Sequence, residues 1–262
     1  MTKNALMRML CFVMAAIFFV PQFGEAAKKE PVTEKIVFVP HDGRPISSKQ
    51  TADVVQRVGY DVVVPPPELL GSREDWGHPD ELWTWLDENL AQPGVKAAVI
   101  SSDAMIYGSL VGSRKHDYTR SQVLVRAARF DELQRTHRKI PLYVFGSIMR
   151  TPRTGEASGH EEPEYYRRYG ADIFRYTVLR DKEEVEGLTR RERKEYDFLG
   201  RLIPQEALAD WMGRREKNYA VNEYLIDLLR KRDTFRYLTL GRDDNAPFSQ
   251  THLESRHLTE AG

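Results

Sequence analysis

Short apolar runs alternate along this chain with longer segments in which apolar residues recur every three or four positions. "KIVFVP" (35–40) reads as a buried strand, and "DVVVPP" (61–66), "VKAAVIS" (95–101), "PLYVFGSI" (141–148) and "FRYLTLG" (235–241) read as four further strands. Helical spacing fills the intervals: "SSKQTADVVQRVG", "HPDELWTWLDENLA", "TRSQVLVRAARFDELQRTH", a segment over 162–176, and a longer one over 190–232 broken near Pro204. Pro79 and the acids after it suit a helix start, where no amide donor is needed and negative charge is favoured.

Strands alternating with helices predict an α/β fold of parallel β-α-β units with right-handed crossovers. The nearly unbroken apolar runs agree, because parallel strands are covered on both faces. Two architectures fit, a partial (β/α) barrel-like arrangement and an open parallel sheet. Five units are too few to close an eight-stranded barrel. No glycine-rich dinucleotide or phosphate-loop pattern follows the first strand, and no cofactor is expected.

The first residues change the picture of where the protein works. Lys3 and Arg8 precede an apolar run over 9–20, and Gly24-Glu25-Ala26 follows it. That order predicts a signal peptide over 1–26, a linker over 27–34 and a single α/β domain over 35–262, exported to the periplasm or beyond. An uncleaved anchor is the alternative, although the run is short for a membrane span. Cys11, the single cysteine, lies in this leader, so the remainder can form no disulfide or thiolate site. Lysine plus arginine and aspartate plus glutamate each total 39, which gives no electrostatic case for a nucleic-acid partner. The expected partner is a small-molecule or glycan substrate, with no membrane association after cleavage of the leader.

In both architectures ligands bind at the carboxyl ends of the strands. Five loops stand there: "PHDGRPISS", "PPPELLGSRED", "SSDAMIYGSLVGSR", "GSIMRTPRTG" and "GRDDNAPFS". They concentrate polar residues, and the candidate binding groups are Asp42, Arg44, Ser102, Asp103, Tyr107, Arg114, Arg150 and Asn245. His41 and Arg153 lie in the same loops.

"VPHDGRP", "VVPPPELLG", "SSDAMIYGSLVGSR", "MRTP" and "LGRDDNAPFSQTH", in that order, resemble the motifs of a bacterial family known as domain of unknown function 4127. The resemblance spans nearly the whole chain after the leader. His41 and Gly43 depart from a "VPLDxRP" pattern, whereas Asp42 and Arg44 retain it. The resemblance carries no assigned activity. It implies a longer protein with further α/β units, of which this chain is similar to an N-terminal portion, truncated at its C-terminus.

Carboxylates, arginines, a tyrosine and serines without cysteine suit polar substrates such as sugars. Glycoside hydrolysis uses one carboxyl group as acid and a second as base, nucleophile or stabiliser. Asp243 and Asp244 are the catalytic candidates, Asp243 orienting and Asp244 protonating, or the reverse; repulsion between them would keep one protonated. "DDNAP" is equally the pattern of a helix cap and Asx turn. Asp103 could cap its loop, and Asp42-Gly-Arg-Pro could be a turn with an internal ion pair. A non-catalytic ligand-binding protein using the same cleft is the second functional class, and an inactive fragment the third.

Metal ligation is the weaker expectation. His252 and His257 are five apart and point about 140° from each other on a helix, poor geometry for a shared ion. Asp42, Asp103 and Asp243 could form an oxygen-rich site for magnesium or calcium. Tyr165, Tyr166 and Tyr169, like Trp83 and Trp85, could stack sugars, but their helical spacing favours core packing.

Overall fold

The computed structural model describes residues 34–155, 160–242 and 244–261. The expected leader, most of the expected linker and Asp243 therefore lie outside the described residues. The rest is α/β, as the alternation of elements implies. Its five strands, β1 (Lys35–Val39), β2 (Asp61–Val63), β3 (Val95–Ser101), β4 (Leu142–Ile148) and β5 (Tyr237–Arg242), pair only in parallel, in the order β2-β1-β3-β4-β5. The sheet is open, which decides between the two architectures.

The helices are α1 (Lys49–Arg57), α2 (Pro79–Leu90), α3 (Ser102–Tyr107), α4 (Gly112–Lys115), α5 (Arg120–Thr136), α6 (Tyr166–Glu186), α7 (Arg190–Leu202), α8 (Gln205–Arg232) and α9 (Gln250–Ala261). No described helix is long and apolar enough to cross a membrane. One sheet face, carrying Val37, Val39, Ala98, Ile100, Leu142 and Val144, is sealed by α2, α5 and α8. Helix α5 shows why: Val123, Ala127, Phe130 and Leu133 fall on one stripe and are buried, while Thr119 caps the first turn in a reciprocal box with Gln122. Leu82, Leu86 and Leu90 of α2 repeat the pattern, and Trp83 donates its indole hydrogen to the Met105 carbonyl oxygen at 2.9 Å. Helix α1 covers the other face at Phe38 and Val62.

A second cluster built on Tyr166, Ile173, Leu199, Ile203 and Trp211 joins α6, α7 and the start of α8. Helix α8 spans 28 residues, about 42 Å at the usual rise, and carries Trp211 in this cluster and Leu225 in the main core. The three tyrosines of "EYYRRYG" and both tryptophans of "LWTWL" pack in or against these cores.

Three boundaries differ from the sequence reading. The segment 101–114 is not a bare loop but holds α3 and α4. Every residue of α3 is buried, so it has no polar face to reveal a helical period. Helix α6 begins at Tyr166 and continues to Glu186, stopping only at Gly187, whose φ of 81° favours glycine. Strand β2 ends at Val63, before the prolines that cannot donate to a ladder.

Candidate functional site

The chain reverses direction across the sheet between β1 and β3: from β1 it winds to β2 on one side, then returns to β3 on the other. A crevice opens at the carboxyl ends of such a strand pair. The loops after β1 and β3 meet there, where the Leu110 amide donates to the His41 carbonyl oxygen at 3.1 Å.

His41 leaves β1 with its ring edge-on to Phe145 of β4. Its Nδ1 is 2.9 Å from Ser101 Oγ and 3.2 Å from Asp103 Oδ2. Asp103 is fixed in turn by the Ser147 hydroxyl, which donates to Oδ1 at 3.1 Å. The side chain of Asp103 is 3% exposed and that of His41 26%. A buried carboxylate oxygen thus lies beside one imidazole nitrogen without a hydrogen bond of good geometry, and the hydrogen-bond partner of that nitrogen is Ser101 Oγ. Ser101 is the N-cap of α3, its Oγ accepting the Ala104 amide hydrogen. Ser102, next to it, directs its hydroxyl at the Phe145 carbonyl oxygen at 3.4 Å.

Asp42 is fully buried and holds Arg44 three ways: Oδ1 accepts the Arg44 amide at 3.1 Å, and Oδ2 accepts Nε at 2.9 Å and Nη2 at 2.6 Å. The internal ion pair of "DGRP" is therefore real, and it also aims the rest of the guanidinium at Glu161. Arg114, on α4, reaches the same carboxylate at 2.9 Å, and Arg150, after β4, at 3.2 Å. Arg150 Nε also donates to Glu162 Oε1 at 2.9 Å. Glu162 is buried, and desolvation raises its pKa although Arg114 and Arg150 oppose the rise.

Other candidates sit elsewhere. Tyr107 is buried in the main core, stacked on His116; desolvation, then the charge of Asp103, pushes its phenol well above the usual value. Asn245 is exposed, as is Arg153, whose guanidinium lies 6.0 Å from the centre of the Phe174 ring. Asp244 accepts the Thr151 amide at 3.0 Å and the Ser249 hydroxyl at 3.2 Å, and Ser249 Oγ accepts the His252 amide in the first turn of α9. Ser249, not Asp244, is thus the residue that caps α9, and Asp244 ties the loop after β5 to the loop after β4.

The α9 residues weighed for a metal turn to different partners. His252 faces the buried Asp181 at 2.6 Å, His257 pairs with Glu184, and Glu254 takes a two-pronged ion pair from Arg215 at 2.8 Å. Asp42 is committed to Arg44 and Asp103 faces His41, so these carboxylates do not share an oxygen site. Among the described residues no cluster has the composition of a metal site.

His41, Ser147, Glu161 and Glu162 belong to this site and were not among the binding candidates. His41 was visible as a polar residue at a strand end, but its pairing depends on β1 lying beside β3. Glu161 and Glu162 sit in the polar stretch before α6 and carry no local signal of what they meet.

A family model described as a protein of unknown function, DUF4127, matches residues 36–262. This chain belongs to the DUF4127 family. The match covers the sheet from Ile36 of β1 onward and every strand-end loop described here. No curated protein matches the chain. No solved structure matches it either.

Proposed function

We propose that this DUF4127 member is an exported hydrolase acting on carbohydrate-type substrates, with its chemistry at the β1–β3 crevice. The observation that carries this reading is the His41–Asp103 pair: a partly exposed imidazole whose Nδ1 faces a buried carboxylate. In such a pair the carboxylate orients the ring and stabilises the imidazolium that forms. His41 Nε2 takes a proton from an attacking water as the water oxygen bonds to the scissile carbon; the bond from that carbon to the departing oxygen breaks, and an acid, for which Asp243 is the candidate, gives that oxygen its proton. Proton transfer of this kind contributes about 10²–10⁴-fold to rate. Asp103 is a positioning residue, as is Ser147 behind it. Asp243 and Asp244 remain candidates for acid catalysis; the two hydrogen bonds to Asp244 favour a supporting role for that residue. Export rests on the charge and apolar pattern of the first 26 residues.

The test is hydrolysis of a panel of aryl glycosides, neutral and acidic, by the wild type, His41→Ala and Asp103→Asn. The reading predicts turnover by the wild type and its loss in both variants with folding retained. Saturable sugar binding with no turnover of any member would instead favour a non-catalytic binding protein using the same crevice.

A further inference from the structure

Glu161 approaches the crevice from the link between β4 and α6, and four guanidinium groups converge on its carboxylate. Oε1 lies 3.5 Å from Arg44 Nη1 and 3.3 Å from Arg73 Nε; Oε2 lies 2.9 Å from Arg114 Nη1 and 3.2 Å from Arg150 Nη2. The four arginines come from the four segments that follow β1 to β4, Arg114 from helix α4 and the other three from irregular stretches. Each carboxylate oxygen is met by two of them.

An ordinary structural ion pair does not require this convergence. Exposed pairs contribute about 0–1 kcal/mol, and holding like charges around one carboxylate adds repulsion. Arg114 makes the cost greater because its side chain is only 3% exposed. Arg150 Nη2 is buried yet has no hydrogen bond of good geometry, despite lying 3.2 Å from Glu161. The Glu161 carboxylate occupies the cradle and leaves Arg150 Nη2 without a hydrogen bond. Beside it, Glu162 Oε2 is buried and also lacks a partner.

We propose that the four-arginine cradle is a carboxylate-binding subsite and that Glu161 is its resident stand-in, displaced when a ligand carboxylate enters. The inference rests on the reading of the crevice as the substrate site and names its substrate class, a sugar acid rather than a neutral sugar. Two pairs of donors facing two oxygens match a planar carboxylate, which arginine recognises through paired hydrogen bonds. Exchange requires the Glu161 side chain to swing away, while Arg44 stays anchored by Asp42. Glu161 then acts as an internal competitor, lowering affinity for any acidic ligand too weak to replace it.

Calorimetric titration of the whole chain with glucuronate, glucose and inorganic phosphate tests this without reference to turnover. Glu161→Gln keeps the side-chain shape and removes the charge, and is expected to tighten glucuronate binding by about tenfold or more while leaving glucose unaffected. Arg73→Gln alters the most exposed cradle member and threatens folding least; in the Glu161→Gln background it is expected to weaken glucuronate binding. Glucuronate binding that is unchanged or weakened by Glu161→Gln in a folded variant overturns the proposal, as does tighter binding of phosphate than of glucuronate. If no glycoside is hydrolysed but Glu161→Gln tightens glucuronate binding, the hydrolase reading fails and the subsite stands. If neutral glycosides are hydrolysed and Glu161→Gln changes no affinity, the subsite fails and the hydrolase reading stands.

Discussion

His41 Nδ1 stands 3.2 Å from Asp103 Oδ2, although the two residues leave different strands of the sheet. The strand order sets this distance, because β1 and β3 are neighbours with β2 placed outside them. His41→Ala removes a partly exposed ring and is expected to cost little stability while lowering turnover by about 10²-fold or more. Urea denaturation alongside rate measurement checks both halves. A variant that unfolds readily, or one that retains full turnover, contradicts the assignment.

Asp244 ties two loops together, so Asp244→Ala is expected to behave differently. Losing its bonds to the Thr151 amide and the Ser249 hydroxyl should cost about 1–3 kcal/mol, with residual turnover tracking the folded fraction. Abolished turnover at unchanged stability would return Asp244 to the role of catalytic acid.

Arg215 is the main strut behind the site. It pairs with Glu254, donates to the Met149 and Arg150 carbonyl oxygens, and stacks 4.7 Å from the Trp211 ring centre, with its side chain 1% exposed. Arg215→Met strands the Glu254 carboxylate in the interior and should cost about 3–5 kcal/mol in chemical denaturation. Adding Glu254→Leu should recover part of the loss. A single variant as stable as the wild type would contradict this account of the interior.

His116 gives the protein an acid limb. Its ring is buried between Tyr107 and Tyr118, its Nε2 meets Asn218 Oδ1 at 2.8 Å, and its Nδ1 has no partner. Desolvation is the largest cause of a pKa lowered from 6.5 to about 4, with Lys217 and Arg214 adding to the fall, and Asn218 and Asp117 opposing it. Between those values the unfolded chain takes up a proton that the folded chain does not. The stabilisation from the neutral ring is therefore complete above about pH 6.5 and lost as pH falls towards about 4, a change of about 3 kcal/mol. His116→Gln should flatten the decline of the urea midpoint over that interval; an unchanged slope would rule the mechanism out.

The loop after β2 meets the end of α3 through glycines. A Cβ on Gly77 would collide with the Gly108 carbonyl oxygen and lie 2.6 Å from the Gly71 nitrogen. Gly77→Ala should therefore cost about 1–3 kcal/mol or more, because neither backbone can recede without moving the crevice wall. Thermal unfolding at wild-type temperature would contradict that packing.

Strands β1 to β3 were legible because their apolar runs are continuous, and α2 and α5 because one stripe of each is buried. Helix α3 was not, since burial on all sides erases the period. The polar residues at the strand ends were legible as a set; Arg44, Arg114 and Arg150 meet at Glu161 with Asp42 behind Arg44, and Asp103 lies instead beside His41. Tyr107 was misplaced because a tyrosine in a strand-end motif reads alike whether it faces a ligand or the core. His41's partner and the role of Glu161 follow from strand order and from a link folding back, neither of which leaves a local pattern in the sequence.

Chemical-shift mapping of backbone amides and histidine rings during titration with glucose and glucuronate tests the central claim most directly. Saturable shifts concentrated at His41–Arg44, Ser101–Asp103, Arg114 and Arg150 are predicted for at least one of the two. Shifts confined instead to the cleft between α6, α8 and α9, around Arg180, Tyr219 and His257, would contradict the placement of the site, as would no saturable shift with either ligand.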